Sequence, residues 1–151
     1  MKVVSEWIGK AEIVIGLEGH GREDLGGDMD LSRTVGWMTN LYPVALSAGD
    51  GSGYGELLMG VKEALRRIPD RGIGYGVLRY INGEERLRNR SWDLMFNYLG
   101  QVDNIVRKDV GIQDAEESDG ENISRKYRMQ EKLMINSLVS GGDLKIGRAH
   151  V

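Results

Sequence analysis

The sequence predicts an α/β fold, an α+β sandwich in which a sheet is covered by helices, and three stretches carry that reading. β-branched residues crowd positions 12–17 as in a buried strand. Apolar residues recur at spacings of three and four between 56 and 68, as on one face of a helix. Two apolar runs flank Gly141-Gly142, as in a hairpin. At 151 residues the chain has the size of one ordinary domain and can bury a real core.

Taken in order, Glu-Ile-Val-Ile-Gly-Leu at 12–17 is the first strand, and it delivers Glu18 at its end, where functional side chains are commonly placed. Residues 19–31, rich in glycine and acidic side chains, form a loop. Trp37 to Leu46 reads as a second strand, and Pro43 points to an edge or a bulge because it gives no N–H to a ladder. From Glu56 to Ile68 a helix presents Leu57, Leu58, Val61, Leu65 and Ile68 on one face and Lys62, Glu63, Arg66 and Arg67 on the other, until Pro69 stops it. Ile73 to Ile81 is apolar and aromatic, and periodicity leaves strand or short helix open. Trp92 to Leu99 alternates as a strand does, and Asp103 to Arg125 reads as a polar surface excursion. Lys132–Ser140 and Asp143–Ile146 make the hairpin. The last seven residues, Lys145 to Val151, match what a common sequencing-library adapter would encode. Residues 145–151 are therefore expected to be a non-native tail and 1–144 a piece of a longer gene.

Composition narrows the function. Hydrophobic content of 40% with 28% charged residues belongs to a soluble globular chain, and a net charge of -3 argues against a nucleic-acid partner. No apolar run is long enough for a membrane span and no signal peptide is visible. Without cysteine there is no disulfide or thiolate chemistry, and a cytoplasmic location is expected. Only His20 and His150 could supply imidazole, with no second ligand at suitable spacing, so no metal is expected. The 22 glycines stand mostly among aromatic and charged residues, a pattern of crowded backbone; only Ser47–Gly55 looks like a mobile loop. Neither the glycines at 49–53 nor those at 72–76 carry the lysine of a phosphate-binding loop.

Four strings concentrate the chemistry: Glu-Gly-His-Gly-Arg-Glu at 18–23, Arg-Thr-Val-Gly-Trp-Met-Thr at 33–39, Pro-Asp-Arg-Gly-Ile-Gly-Tyr-Gly at 69–76 and Phe-Asn-Tyr-Leu-Gly-Gln at 96–101. In sequence and order they resemble the C-terminal, acceptor-side half of an epimerization domain of a nonribosomal peptide synthetase, a member of the condensation-domain superfamily. The resemblance runs from about Glu12 to Leu144 and departs at Met38, where the family usually has phenylalanine, and at Val102. It implies a chloramphenicol-acetyltransferase-like subdomain with a mixed, largely antiparallel sheet. It also implies conversion of an L-aminoacyl or peptidyl residue, held as a thioester on a carrier protein, to the D form. No cofactor is bound directly; the substrate rides on the phosphopantetheine of a peptidyl carrier protein.

An α-proton beside a thioester is too weakly acidic for water to remove at useful rates, so a base, an acid and donors to the developing enolate oxygen are needed. The resemblance makes Glu18 the carboxylate acting on one face of the α-carbon. A free glutamate titrates at about 4.3, so burial would have to raise it for proton shuttling near neutrality. The competing reading pairs Glu18 with Arg22 or Arg33 as a loop brace. If the segment is extended, Glu18, His20 and Arg22 share a face and His20 could orient the carboxylate; the plainer reading has His20 bonding a neighbouring loop. Glu23 is expected to be solvated or salt-bridged. Asn97 and Tyr98 match family positions that line the active site, and both are neutral donors suited to an enolate. They could equally satisfy backbone groups in a central strand. His20, Arg22, Arg33, Trp37 and Tyr75 are expected to bind substrate or shape the tunnel for the carrier's arm, with Trp37 and Tyr75 as packing anchors. Gly36, Gly72, Gly74 and Gly76 would mark close backbone approach.

The superfamily's other half supplies a His-His-x-x-x-Asp-Gly motif, and no such string occurs in this chain. The N-terminal half of the same domain is thus an expected partner, the chain alone is expected to be inactive, and an apolar seam should lie exposed. The alternatives are a condensation domain forming peptide bonds, whose relatives generally lack the string at 18–23, a non-catalytic carrier-docking half-domain, and a fragment with no independent role.

Overall fold

The computed structural model describes residues 1–23, 26, 30–48, 53–88, 92–104, 117, 120, 124, 126–128 and 130–149. Most of Asp103–Arg125, part of Ser47–Gly55 and His150 fall outside these residues. Helix α1 (Lys2–Ile8) leads into β1 (Glu12–Gly19), which returns as β2 (Asn40–Ser47). Helix α2 (Tyr54–Arg66) follows, then a tight 3-10 turn at Pro69–Gly72, α3 (Ile73–Gly76), a π-turn at Val77–Ile81 and α4 (Glu85–Arg88). Strands β3 (Leu94–Gln101), β4 (Leu133–Ser140) and β5 (Asp143–Ala149) complete the sheet.

The strand order is β2-β1-β3-β4-β5. Both edges are antiparallel pairs, β1 with β2 and β4 with β5, whereas β1–β3 and β3–β4 are parallel. The sheet is therefore mixed, as expected, but its centre is parallel rather than antiparallel. Parallel neighbours require long connections, and β1 reaches its parallel neighbour β3 by way of the edge strand β2 and the helical stretch 54–88. Pro43 lies on the edge strand β2, opposite Gly16. The second strand begins at Asn40 rather than Trp37, and 73–81 resolves as helical turns. Residues Lys145–Ala149, within the stretch expected to be a non-native tail, pair in register with Met134–Leu138.

Packing follows the two periodicities. On one face of the sheet Ile13 and Ile15 of β1 meet Val44 and Leu46 of β2, and these four buried side chains form the core cluster. Val61, Ala64 and Ile68 of the α2 region lie against it, a three-and-four spacing that turns one helical stripe inward. Leu58, assigned to that stripe from sequence, is 69% exposed, and no residue of α2 is fully buried. On the opposite face Trp92 lies over Gly16 so closely that any side chain there would meet the indole. Tyr75 stacks obliquely on Trp92, ring centroids 6.0 Å apart, and its hydroxyl accepts a hydrogen bond from Arg79 at 2.8 Å. Among the described residues no helix is long and apolar enough to cross a membrane.

Candidate active site

The end of β1 and the middle of β3 open onto one apolar cleft of about 430 Å³ between the sheet and helices α1 and α2. Ile15, Leu17, Leu94, Phe96, Val61 and Leu65 make much of its wall, and Glu18 and Tyr98 are the two lining residues with ionisable or hydroxyl side chains. Glu18 is half-buried, and the Tyr98 side chain is about half exposed. Tyr98 brings a phenol to this apolar cleft, whereas Glu18 borders it from a position of β1 that alternates with Ile13, Ile15 and Leu17 and falls on the face of Val14 and Gly16.

Alternation along β3 separates Tyr98 from Asn97. Leu94, Phe96 and Tyr98 line the cleft, whereas Met95 and Asn97 belong to the other face. The Asn97 carbonyl accepts the Ser137 hydroxyl at 3.3 Å, a bond between neighbouring strands. The β1–β3 register, Gly16 with Met95 and Leu17 with Phe96, carries on to set Glu18 level with Asn97, so by alternation the Glu18 side chain shares its face of the sheet with Asn97 rather than with Tyr98.

Beyond Gly19 the chain leaves the sheet, so Glu18, His20 and Arg22 do not continue as one strand face. His20 accepts the Arg22 backbone N–H on Nδ1 at 3.0 Å and faces Glu23 with Nε2 at 3.2 Å. Arg22 donates to the carbonyls of Leu31 at 2.9 Å and Gly36 at 3.1 Å, fastening the 18–23 string to the 33–39 string. In the same loop the Ser32 N–H donates to Asp30 at 2.9 Å and holds its carboxyl below the usual range. Arg33 is exposed. Trp37 is 89% exposed, so it is not a packing anchor within this chain; its segment is held through the Gly36 carbonyl, which accepts Arg22. Tyr75 does pack, but against Trp92 on the face away from the cleft.

Of the four glycines expected to mark close approach, Gly72 does so. Its φ is 85°, and a Cβ there would fall inside the Tyr42 ring. Around Gly74 and Gly76 a Cβ would meet nothing within 4 Å, and at Gly36 the nearest atom is an ordinary contact at 3.4 Å. Sequence reasoning overlooked Asn40, Tyr42 and Arg71. Burial, and then the nearby Glu23 carboxylate, push the Tyr42 phenol above its ordinary value, while Arg71 opposes the shift. The only advance signal was that Glu23 and Arg71 each sit inside one of the dense strings.

The family model for the condensation domain matches residues 1–146. A linear gramicidin synthase protein of Brevibacillus parabrevis is 42% identical over 150 residues, which is 96% of this chain and 2% of that protein. Surfactin synthase subunit 2 of Bacillus subtilis is 47% identical over 106 residues, 70% of this chain and 3% of that protein. The chain thus spans only a few per cent of these relatives' length. Among solved structures, the epimerization domain from the third module of tyrocidine synthetase B has a TM-score of 0.81 at 33% identity, covering 96% of this chain and 32% of that one. The first condensation domain of the CDA synthetase has a TM-score of 0.61 at 14% identity, over 99% of this chain and 31% of that one, a likeness of fold alone. This chain belongs to the condensation-domain family, and its relatives are components of peptide synthetases.

Proposed function

We propose that this chain contributes the glutamate side of an epimerization site in a nonribosomal peptide synthetase. The substrate is an aminoacyl or peptidyl thioester on the phosphopantetheine arm of a carrier protein. The observation that carries the reading is the place of Glu18 at the end of β1, bordering the apolar cleft and level with Asn97 of β3. The string at 18–23 and the 33% identity to a solved epimerization domain support it.

In this reading the Glu18 carboxylate takes the α-proton on one face of the stereocentre or returns it there. The electrons of the broken C–H bond move onto the thioester oxygen as an enolate, toward which the Asn97 amide or the Tyr98 hydroxyl donates. The apolar wall excludes water, which strengthens that hydrogen bond and limits stray protonation. The second proton carrier belongs to the half of the domain with the His-His-x-x-x-Asp-Gly motif, so this chain alone is inactive.

The test uses the complete domain with a carrier-bound aminoacyl thioester in deuterated water. Glu18→Gln, which keeps shape and removes the base, should lower α-proton exchange by roughly 10²–10⁴-fold. Exchange at the unaltered rate would remove Glu18 from the mechanism.

A further inference from the structure

Glu23 ends the same string that begins with Glu18, and its side chain is only 10% exposed. It meets two partners: His20 Nε2 at 3.2 Å and Arg71 Nε at 3.3 Å. Because His20 Nδ1 accepts the Arg22 N–H, the imidazole proton sits on Nε2 and is donated to Glu23. Neither contact touches the cleft, so the proposed chemistry leaves both unexplained.

Arg71 belongs to the turn Pro69–Gly72, where Asp70 and Arg71 have φ of 45° and 48°. Two successive non-glycine residues in the left-handed region persist only where surrounding contacts hold them. Those contacts lead back to Glu18. The Arg71 carbonyl accepts a hydrogen bond from Asn40 Nδ2 at 3.3 Å. Asn40 is the cross-strand partner of Gly19, the residue after Glu18, and Leu41 is the partner of Glu18 itself. Tyr42, opposite Leu17, lies under Gly72, the last residue of the turn. The chain therefore closes a ring: from Glu18 through the loop to Glu23, across to Arg71, down to Asn40 and Tyr42, and back to Gly19 and Leu17. The raised Tyr42 phenol is consistent with a Glu23 carboxylate held close over this ring.

We propose that Glu23 is a positioning residue for Glu18: its link to Arg71 and His20 sets where the last residues of β1 leave the sheet, and so where the Glu18 carboxylate points. The inference rests on the reading of Glu18 as the proton carrier. A small displacement of a catalytic group by a change outside the chemistry can cost on the order of 10²-fold in rate.

The experiment compares Glu18→Gln, Glu23→Gln, Glu23→Asp, Arg71→Lys, Arg71→Ala and the double variant Glu23→Gln/Arg71→Ala in the complete domain, each checked for folding by circular dichroism. Glu23→Gln should lower the turnover number for α-proton exchange by roughly 10–100-fold with KM for the carrier-bound substrate within about twofold. Glu23→Asp and Arg71→Lys should recover part of that loss, and the double variant should be no slower than the worse single one, because both break one link. A brace with no effect on Glu18 would lower thermal stability and leave turnover of the folded enzyme intact, and that result overturns the inference. Losses at Glu23 and Arg71 that multiply overturn it as well. If Glu18→Gln abolishes exchange while Glu23→Gln does not slow it, positioning fails and the Glu18 reading stands. If Glu18→Gln exchanges at full rate, both fall. Should Glu23→Gln not fold, Arg71→Lys decides: unchanged turnover refutes the link.

Discussion

Gly72 and Gly74 stand two residues apart in one string, and replacing each by alanine separates roles that look identical in sequence. At Gly72 the backbone is left-handed and an added methyl group would run into the Tyr42 ring. The backbone conformation alone costs an L-residue about 1–2 kcal/mol. Displacing a ring wedged between β2 and the turn adds about 1–3 kcal/mol, the usual cost of overpacking. Gly72→Ala should therefore lose roughly 2–5 kcal/mol, a large share of the ~5–15 kcal/mol that holds an ordinary domain together. At Gly74 the backbone is helical and nothing lies within 4 Å of the missing Cβ. Gly74→Ala should be stabilising by about 0.5–1 kcal/mol, because alanine loses less conformational freedom on folding. Urea unfolding followed by circular dichroism measures both. With a slope of about 1–3 kcal/mol/M, the two midpoints should differ by on the order of 1 M or more. Coincident midpoints, or Gly74→Ala as the more damaging change, would refute the claim that Gly72 alone is held by the Tyr42 contact.

Two further outcomes follow from the same packing. The fold favours the neutral Tyr42 phenol, so its contribution to stability is present below the ordinary titration point of about 10 and is lost as pH rises through the higher folded value. Unfolding measured from about pH 8 to 11 should show that decline in the unaltered chain and a flatter one in Tyr42→Phe; equal slopes would contradict it. Met95, 4% exposed on the face opposite the cleft, should cost about 2–5 kcal/mol when cut to alanine. Leu58→Ala, on the outer side of α2, should stay within about 0.5 kcal/mol, and thermal unfolding of the pair checks the contrast.

Much of the fold was legible because local patterns report local structure. The β-branched run at 12–17, the stripe containing Val61 and Ile68, and Gly141-Gly142 between apolar runs each carry their own periodicity or turn chemistry, and each became the expected element. Pro43 announced an edge strand because a missing N–H is a property of the residue itself. The segment 73–81 was not legible: an apolar, aromatic run without clear period fits strand or helix until its neighbours are known. The same limit applied to Trp37 and Leu58, large apolar residues that composition alone would bury and that stand exposed on this chain.

By itself the sequence determined most element types, the four strings and the family likeness, since these depend on residue identity and spacing along one chain. Only the tertiary structure decided which members of those strings meet. The pleat sends Tyr98 into the cleft with Leu17 and Phe96 and turns Glu18 and Asn97 to the other face, because successive side chains on a strand point to opposite faces. The ring from Glu23 through Arg71 to Asn40 joins residues distant in the chain, and no local period or motif encodes a contact that exists only once β1, β2 and the turn at Pro69–Gly72 have packed together.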